Sequence, residues 1–174
     1  MNKYQITSEH SSNHWSFTNT TGKNVLDIGC GIWTCKEFNE TSPVYFGKTA
    51  NLVVGVDASS GCIDTYKQHF LEDSKYIFNC MSINNVDQVR RLISEHNIDF
   101  IKCDIEGHEK VLLELTSSDL INVTDVAIEF HTHELEQAFL EKIPGEWGFE
   151  IDTVADFRCT PSNIGVIYGV KRDG

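Results

Sequence analysis

The chain has 174 residues, 40% of them hydrophobic, which is a normal length for one domain with enough apolar content to bury a real core. It carries 14 basic and 26 acidic residues, for a formal net charge of −12. Duplex nucleic-acid binding draws most of its affinity from phosphate neutralisation, so an acidic chain without a basic stripe is a poor candidate for that task. No apolar run approaches membrane-spanning length, and Met1 to Thr20 is polar with no signal-peptide core. The expectation is a cytoplasmic protein with neither a membrane nor a nucleic-acid partner. Six cysteines lack any C-x-x-C pair, and Cys30, Cys80 and Cys103 fall at or beside strand ends, which fits reduced thiols.

Residues 1–23 form a polar lead in which Tyr4, Trp15 and Phe17 are interspersed. Two roles are open for it: a lid over the site, or cover for a sheet edge. The first strand is expected at Asn24–Ile28, and it ends in the most informative stretch of the chain, Val25-Leu26-Asp27-Ile28-Gly29-Cys30-Gly31. Here a buried strand breaks into a tight glycine turn, where a Cβ would block both positive φ and the close approach of a ligand to the backbone. A dinucleotide fingerprint would place a glycine or alanine at Thr34. The S-adenosylmethionine pattern instead begins with an acidic residue two before the first glycine, where Asp27 stands; its third glycine falls at Trp33. Trp33 either lies over a cofactor pocket or packs under the first helix, expected at Ile32–Glu40.

The second strand, Leu52–Asp57, ends in a carboxylate placed to accept hydrogen bonds from a ribose diol. A helix at Ser59–Phe70 follows, capped by Ser59 or Ser60, then a strand at Lys75–Cys80 and a helix at Val86–His96 capped by Asn84 or Asn85. Further strands are expected at Ile98–Asp104, Asp125–Phe130, Gly148–Val154 and Gly165–Val170, with helices at His108–Leu115 and Leu135–Ile143. Most of the strands are continuous apolar runs, as in a sheet covered on both faces. Alternating strands and helices give a parallel α/β sheet. Ala155 to Asn163 is too short for a parallel crossover, so the last strand is expected to run antiparallel to its predecessor.

The succession VLDIGCG, VVGVDAS and KCDIEGHE, the last spanning Lys102 to Glu109, resembles the FkbM-like branch of the S-adenosylmethionine-dependent methyltransferases. Ala127-Ile128-Glu129-Phe130-His131 resembles that family's fifth-strand ending. The resemblance runs from Asn24 to Val170, almost the whole chain. It implies a Rossmann-like class I methyltransferase fold: a seven-stranded, mostly parallel sheet with an antiparallel last strand inserted between the fifth and sixth, and helices on both faces. It also implies a methyltransferase domain over 24–174, with S-adenosyl-L-methionine as cofactor. Gly29 and Gly31 would let the backbone lie against the amino-acid part of the cofactor, and Asp27 would sit near its ammonium, directly or through water. Asp57 would bind the ribose hydroxyls beside Ala58. Met81, with Asn79 and Ser82, would border the adenine, although Met81 also reads as ordinary core.

Two polar clusters remain. Asp104 is expected at the carboxyl edge of a strand, where ligands bind in open α/β sheets. Glu106 reads equally as a site residue or as a carboxylate at a helix start, and Glu109 as helix surface. Glu129, His131 and His133 alternate along a strand. Glu129 and His131 could deprotonate an acceptor hydroxyl, or hold a divalent metal with Asp104; no metal is assigned to the site. His133 is expected to open the following helix. The expected activity is O-methylation of a hydroxyl on a small molecule or sugar. A catalytically inactive methyltransferase-like binding module is the alternative, and a nicotinamide-dependent reductase is a weaker third.

Overall fold

The computed structural model describes residues 5–7, 15–31, 38–156 and 164–172. Eight strands form one sheet: β1 (Gln5–Thr7), β2 (Asn24–Ile28), β3 (Leu52–Asp57), β4 (Tyr76–Cys80), β5 (Phe100–Cys103), β6 (Asp125–Phe130), β7 (Glu150–Asp156) and β8 (Gly165–Val170). Their order is β1-β7-β8-β6-β5-β2-β3-β4, and every pairing is parallel except those of β8 with β6 and β7. Strands β2 to β8 are the seven expected, in the expected order, with the antiparallel last strand between the fifth and the sixth. The eighth, β1, comes from the lead and adds to the sheet edge through Gln5 to Thr7 against Thr153 to Ala155.

Alternation along the strands divides the apolar side chains between two faces. Leu26, Ile28, Val54, Val56, Ile101 and Ile128 point to one face, under α3 (Val86–His96), a 3-10 helix at Glu109–Glu114, and α4 (His133–Gly145). Val25, Val53, Phe100 and Tyr168 point to the other, against Trp15 and against Phe46 of α1 (Ser42–Gly47). Ile63 and Tyr66 of α2 (Ser60–His69) extend that second layer over Cys30 and Phe78. Burying each large side chain such as Phe100 contributes about 1.5–3 kcal/mol, and the helices lie where they do because their apolar stripes have these surfaces to cover.

Local signals account for the helix starts. Asn85 accepts the Gln88 N–H at 3.1 Å while the Gln88 side chain accepts the Asn85 N–H at 3.1 Å, a reciprocal cap that starts α3 at Val86. Ser59 caps α2, and Thr132 caps α4 by accepting from Leu135 N–H. Two helices differ from expectation. Residues 32–37 of the expected first helix lie outside the described residues, as do Trp33 and Thr34; Phe38–Glu40 is a single 3-10 turn, and α1 starts after it with Pro43 in its first turn. The expected helix at His108–Leu115 is the 3-10 segment, preceded by Glu106 and Gly107 at φ of 53° and 88°. Those left-handed residues deny it a regular first turn.

The carboxyl ends of β2, β3, β5 and β6 share one edge. From β2 the chain proceeds outward to β3 and β4, then returns to place β5 on β2's other side. This reversal opens a crevice between the loops after β2 and β5.

Candidate active site

A cavity of about 470 Å³ lies in that crevice, within the size range of pockets for small organic ligands. Its lining includes Gly29, Gly31, Asp57, Ala58, Met81, Ser82 and Asp104. Those are seven of the nine positions expected at a cofactor, Asp27 and Asn79 lying outside the lining, and they come from four separate strand ends. Glu106 lines the cavity too, as do Cys62, Asn84 and His108, which the sequence did not single out.

The glycine turn is tightly constrained. Gly29 has φ of 74°, donates its N–H to the Val56 carbonyl at 2.8 Å, and lies so near the next loop that a Cβ would stand 1.6 Å from the Asp104 carbonyl oxygen. Any side chain there displaces backbone. At Gly31 a Cβ would come within 2.8 Å of Asp57 Oδ2, so the absence of a side chain leaves this carboxylate its position. Asp57 Oδ1 accepts the Ser59 N–H at 2.7 Å, which fixes the carboxylate at the start of α2. Tyr66 donates its hydroxyl to the Cys30 carbonyl at 2.8 Å and ties the turn to α2.

Asp27 occupies a different place from its expected one. It is fully buried, lines no part of the cavity, and lies 2.9 Å from Lys102 Nζ. Lys102 also donates to the Gly29 carbonyl at 2.7 Å and sits over the Trp15 ring at 5.2 Å from its centroid. Burial pushes the Asp27 carboxyl up from its ordinary value against the pull of Lys102. Burial also disfavours the Lys102 ammonium, but Asp27 and Asp104 more than offset this and raise it. The acidic residue two before the first glycine thus anchors the turn from beneath through a lysine.

The second cluster converges beside the cavity. His131 Nε2 lies 3.8 Å from Asp104 Oδ1, 3.9 Å from Glu106 Oε2 and 3.8 Å from Glu129 Oε1. Its Nδ1 is 2.7 Å from Glu109 Oε1, and that same oxygen accepts the Ile105 and Gly107 N–H groups at 3.1 Å each. Glu109, expected on a helix surface, is wholly buried. It clips the left-handed loop to the imidazole, an orientation that the turn at Glu106 and Gly107 makes possible. His133 opens α4 as expected and contacts Glu136 at 3.0 Å.

Charge is concentrated here. The hydrogen bond with Glu109, opposed by partial burial, holds His131 up at about 9, so the free site carries an imidazolium at neutral pH. Burial, reinforced by Asp104, pushes Glu129 up to about 8. Burial opposes ionisation of Glu109, yet its bonds from His131 and the loop amides outweigh that and lower it. Cys30 and Cys103 are buried thiols pushed well above their usual range by burial, which leaves them inert. Among the described residues no helix is long and apolar enough to cross a membrane.

The sequence matches no protein-family model and no curated protein. Solved structures do match. Fibrillarin of Aeropyrum pernix, with natively bound S-adenosyl-L-methionine, aligns at TM-score 0.58 and 10% identity, over 90% of this chain and 71% of that one. A candidate tRNA (m1A22) methyltransferase of Streptococcus pneumoniae, Sp1610, aligns at TM-score 0.62 and 12% identity, over 91% and 68%. A candidate rRNA methylase of Clostridium thermocellum aligns at TM-score 0.57 and 11% identity, over 88% and 90%. At these identities the likeness concerns architecture, and with the strand order it establishes that this chain has the Rossmann-like methyltransferase fold.

Proposed function

We propose that the protein is an S-adenosylmethionine-dependent methyltransferase, with 24–174 as its catalytic domain and 1–23 as a lead segment. The observation that carries this reading is the convergence of seven motif positions on one cavity at the sheet's switch point. The cavity suits the cofactor. The close approach at Gly29 and Gly31 leaves bare backbone for its amino-acid end, and the fixed carboxylate of Asp57 faces the place of a ribose diol. Met81 and Ser82 follow the next strand and line the cavity, where they are assigned to the adenine. Because Asp27 is taken by Lys102, the acceptors assigned to the cofactor's ammonium are the carbonyl oxygen of Asp104, which lies beside Gly29, and the Asp104 carboxylate.

S-adenosylmethionine, when bound, supplies an electrophilic methyl on a sulfonium. The chain's own task is then to hold an acceptor lone pair in line with that methyl and to take its proton. Glu129 is assigned the proton, since its carboxyl is tuned near neutrality. His131, held up at about 9 by Glu109, is assigned to orient the neighbouring carboxylates, with the role of base that the sequence also offered it left to the same test. The acceptor is proposed to be a hydroxyl of a small molecule or sugar, on the resemblance of KCDIEGHE to the FkbM-like branch. The net charge of −12 also favours a small acceptor.

A second reading, an RNA acceptor, is favoured by one observation: the similar structures include proteins named for tRNA and rRNA methylation. Incubation with methyl-labelled cofactor and a fractionated cell extract decides between them. Label in the small-metabolite fraction is expected. Label in the RNA fraction selects the second reading, and retained cofactor binding with no transfer selects the inactive module.

A further inference from the structure

The residues beside the cavity make up more than an acid–base edge. Asp104, Glu106 and His131 each present one donor atom, and the three atoms lie within 4.8 Å of one another. Metal–ligand bonds of about 2.0–2.3 Å put neighbouring donors about 3 to 4.5 Å apart, so small side-chain adjustments bring this set onto one ion. Further observations set it apart from a chance acidic cluster. Glu129 is 6% exposed, its Oε2 has no hydrogen-bond partner, and its Oε1 reaches to 3.8 Å from His131 Nε2. A side chain so buried, with one oxygen orphaned and the other aimed at the cluster, leaves polar capacity that a bound ion would satisfy. Glu109 engages Nδ1 of His131 at 2.7 Å, which leaves Nε2 turned towards Asp104 and Glu106. A carboxylate on the far nitrogen is how metal-binding histidines are commonly oriented.

We infer that Asp104, Glu106 and His131 form a binding site for one divalent first-row cation, with Glu109 orienting the imidazole and the buried Glu129 bordering the set. An imidazole among carboxylates suits Mn2+ and its neighbours in the series better than Mg2+, which prefers an all-oxygen shell. Asp104 and Glu106 also line the cavity, so coordination positions left open face the cleft, where an acceptor with an oxygen donor would meet the ion.

The inference goes beyond methyl transfer and does not rest on it, because the test uses Mn2+ alone. Titration of the unmutated protein, followed by the electron paramagnetic resonance of free Mn2+, is expected to give one site with Kd below about 100 µM. Substoichiometric Mn2+ is expected to broaden the amide resonances of Ile105, Glu106, Phe130 and Thr132 first, which locates the ion without any substitution. Asp104→Asn and His131→Gln should each weaken binding by about tenfold or more. No binding at about 1 mM Mn2+, broadening centred elsewhere, or affinity indifferent to both substitutions overturns the inference. Mn2+ binding without nucleoside binding retains this site and removes the methyl-transfer reading; the converse result does the opposite.

Discussion

Lys102 and Asp27 show how much one buried pair can decide. Both are almost inaccessible, at 1% and 0% exposure, and the lysine holds Asp27 while donating to the carbonyl of Gly29. Each ion is costly to bury, and the pair is tolerated because each charge answers the other. Replacing Lys102 by methionine keeps the volume but strands the Asp27 charge under the glycine turn, and is expected to cost about 3–5 kcal/mol in urea unfolding. A loss below about 1 kcal/mol would mean that the pair does not anchor the turn. The partnership was not legible from sequence, where Lys102 reads as one charge in an apolar strand and Asp27 as a ligand-facing acid. Register alone reveals it: Asp27 lies opposite Lys102 across β2 and β5, so both side chains emerge on the same face. Glu109 escaped for a related reason, since a carboxylate after Gly107 reads as helix surface until left-handed residues turn it inward.

At the level of elements, the helices that cap themselves were the readable ones. Asn85 and Gln88 form their cap within a few residues, so α3 begins where its sequence says. The segment after β5 is set instead by contacts with distant groups, and it became a 3-10 helix. Its far end is joined to α3 by Asp119, which accepts from Thr116 N–H at 2.8 Å, from the Thr116 hydroxyl at 2.9 Å and from Arg90 Nε at 3.0 Å. Burial opposes ionisation of Asp119, but these donors outweigh it and hold the carboxyl below its ordinary 3.8. A depressed folded-state value stabilises the protein above the unfolded value, and the gain is lost as pH falls through the folded one. Asp119→Asn is therefore expected to cost roughly 1 kcal/mol at neutral pH, with the gap from the parent shrinking below about pH 4. An offset that stays constant down to pH 3 would rule out ionisation as its source.

For the whole molecule, the strand order was legible because two features leave little choice. The alternation of strands with helices requires a parallel sheet, and the short span between β7 and β8 requires an antiparallel end. The edge strand β1 went unseen because three residues in a polar lead carry no periodic signal. Motifs at strand ends identified most of the cavity, since β2, β3, β4 and β5 deliver their carboxyl ends to one rim. Lys102 and Glu109, which hold those motifs in place, stand at the two ends of KCDIEGHE, but their roles emerge only from the register of β2 with β5 and from the left-handed turn at Glu106 and Gly107.

The central claim is that this rim holds an adenosyl cofactor through bare backbone at Gly29 and Gly31 and the carboxylate of Asp57. Calorimetric titration with S-adenosylhomocysteine, the demethylated product, tests it most directly. One molecule is expected to bind per chain, and Asp57→Ala is expected to weaken binding by about 1.5–3 kcal/mol through loss of a charged hydrogen-bond partner. No binding to the unmutated protein at millimolar ligand, or equal affinity in the Asp57→Ala variant, would contradict the account.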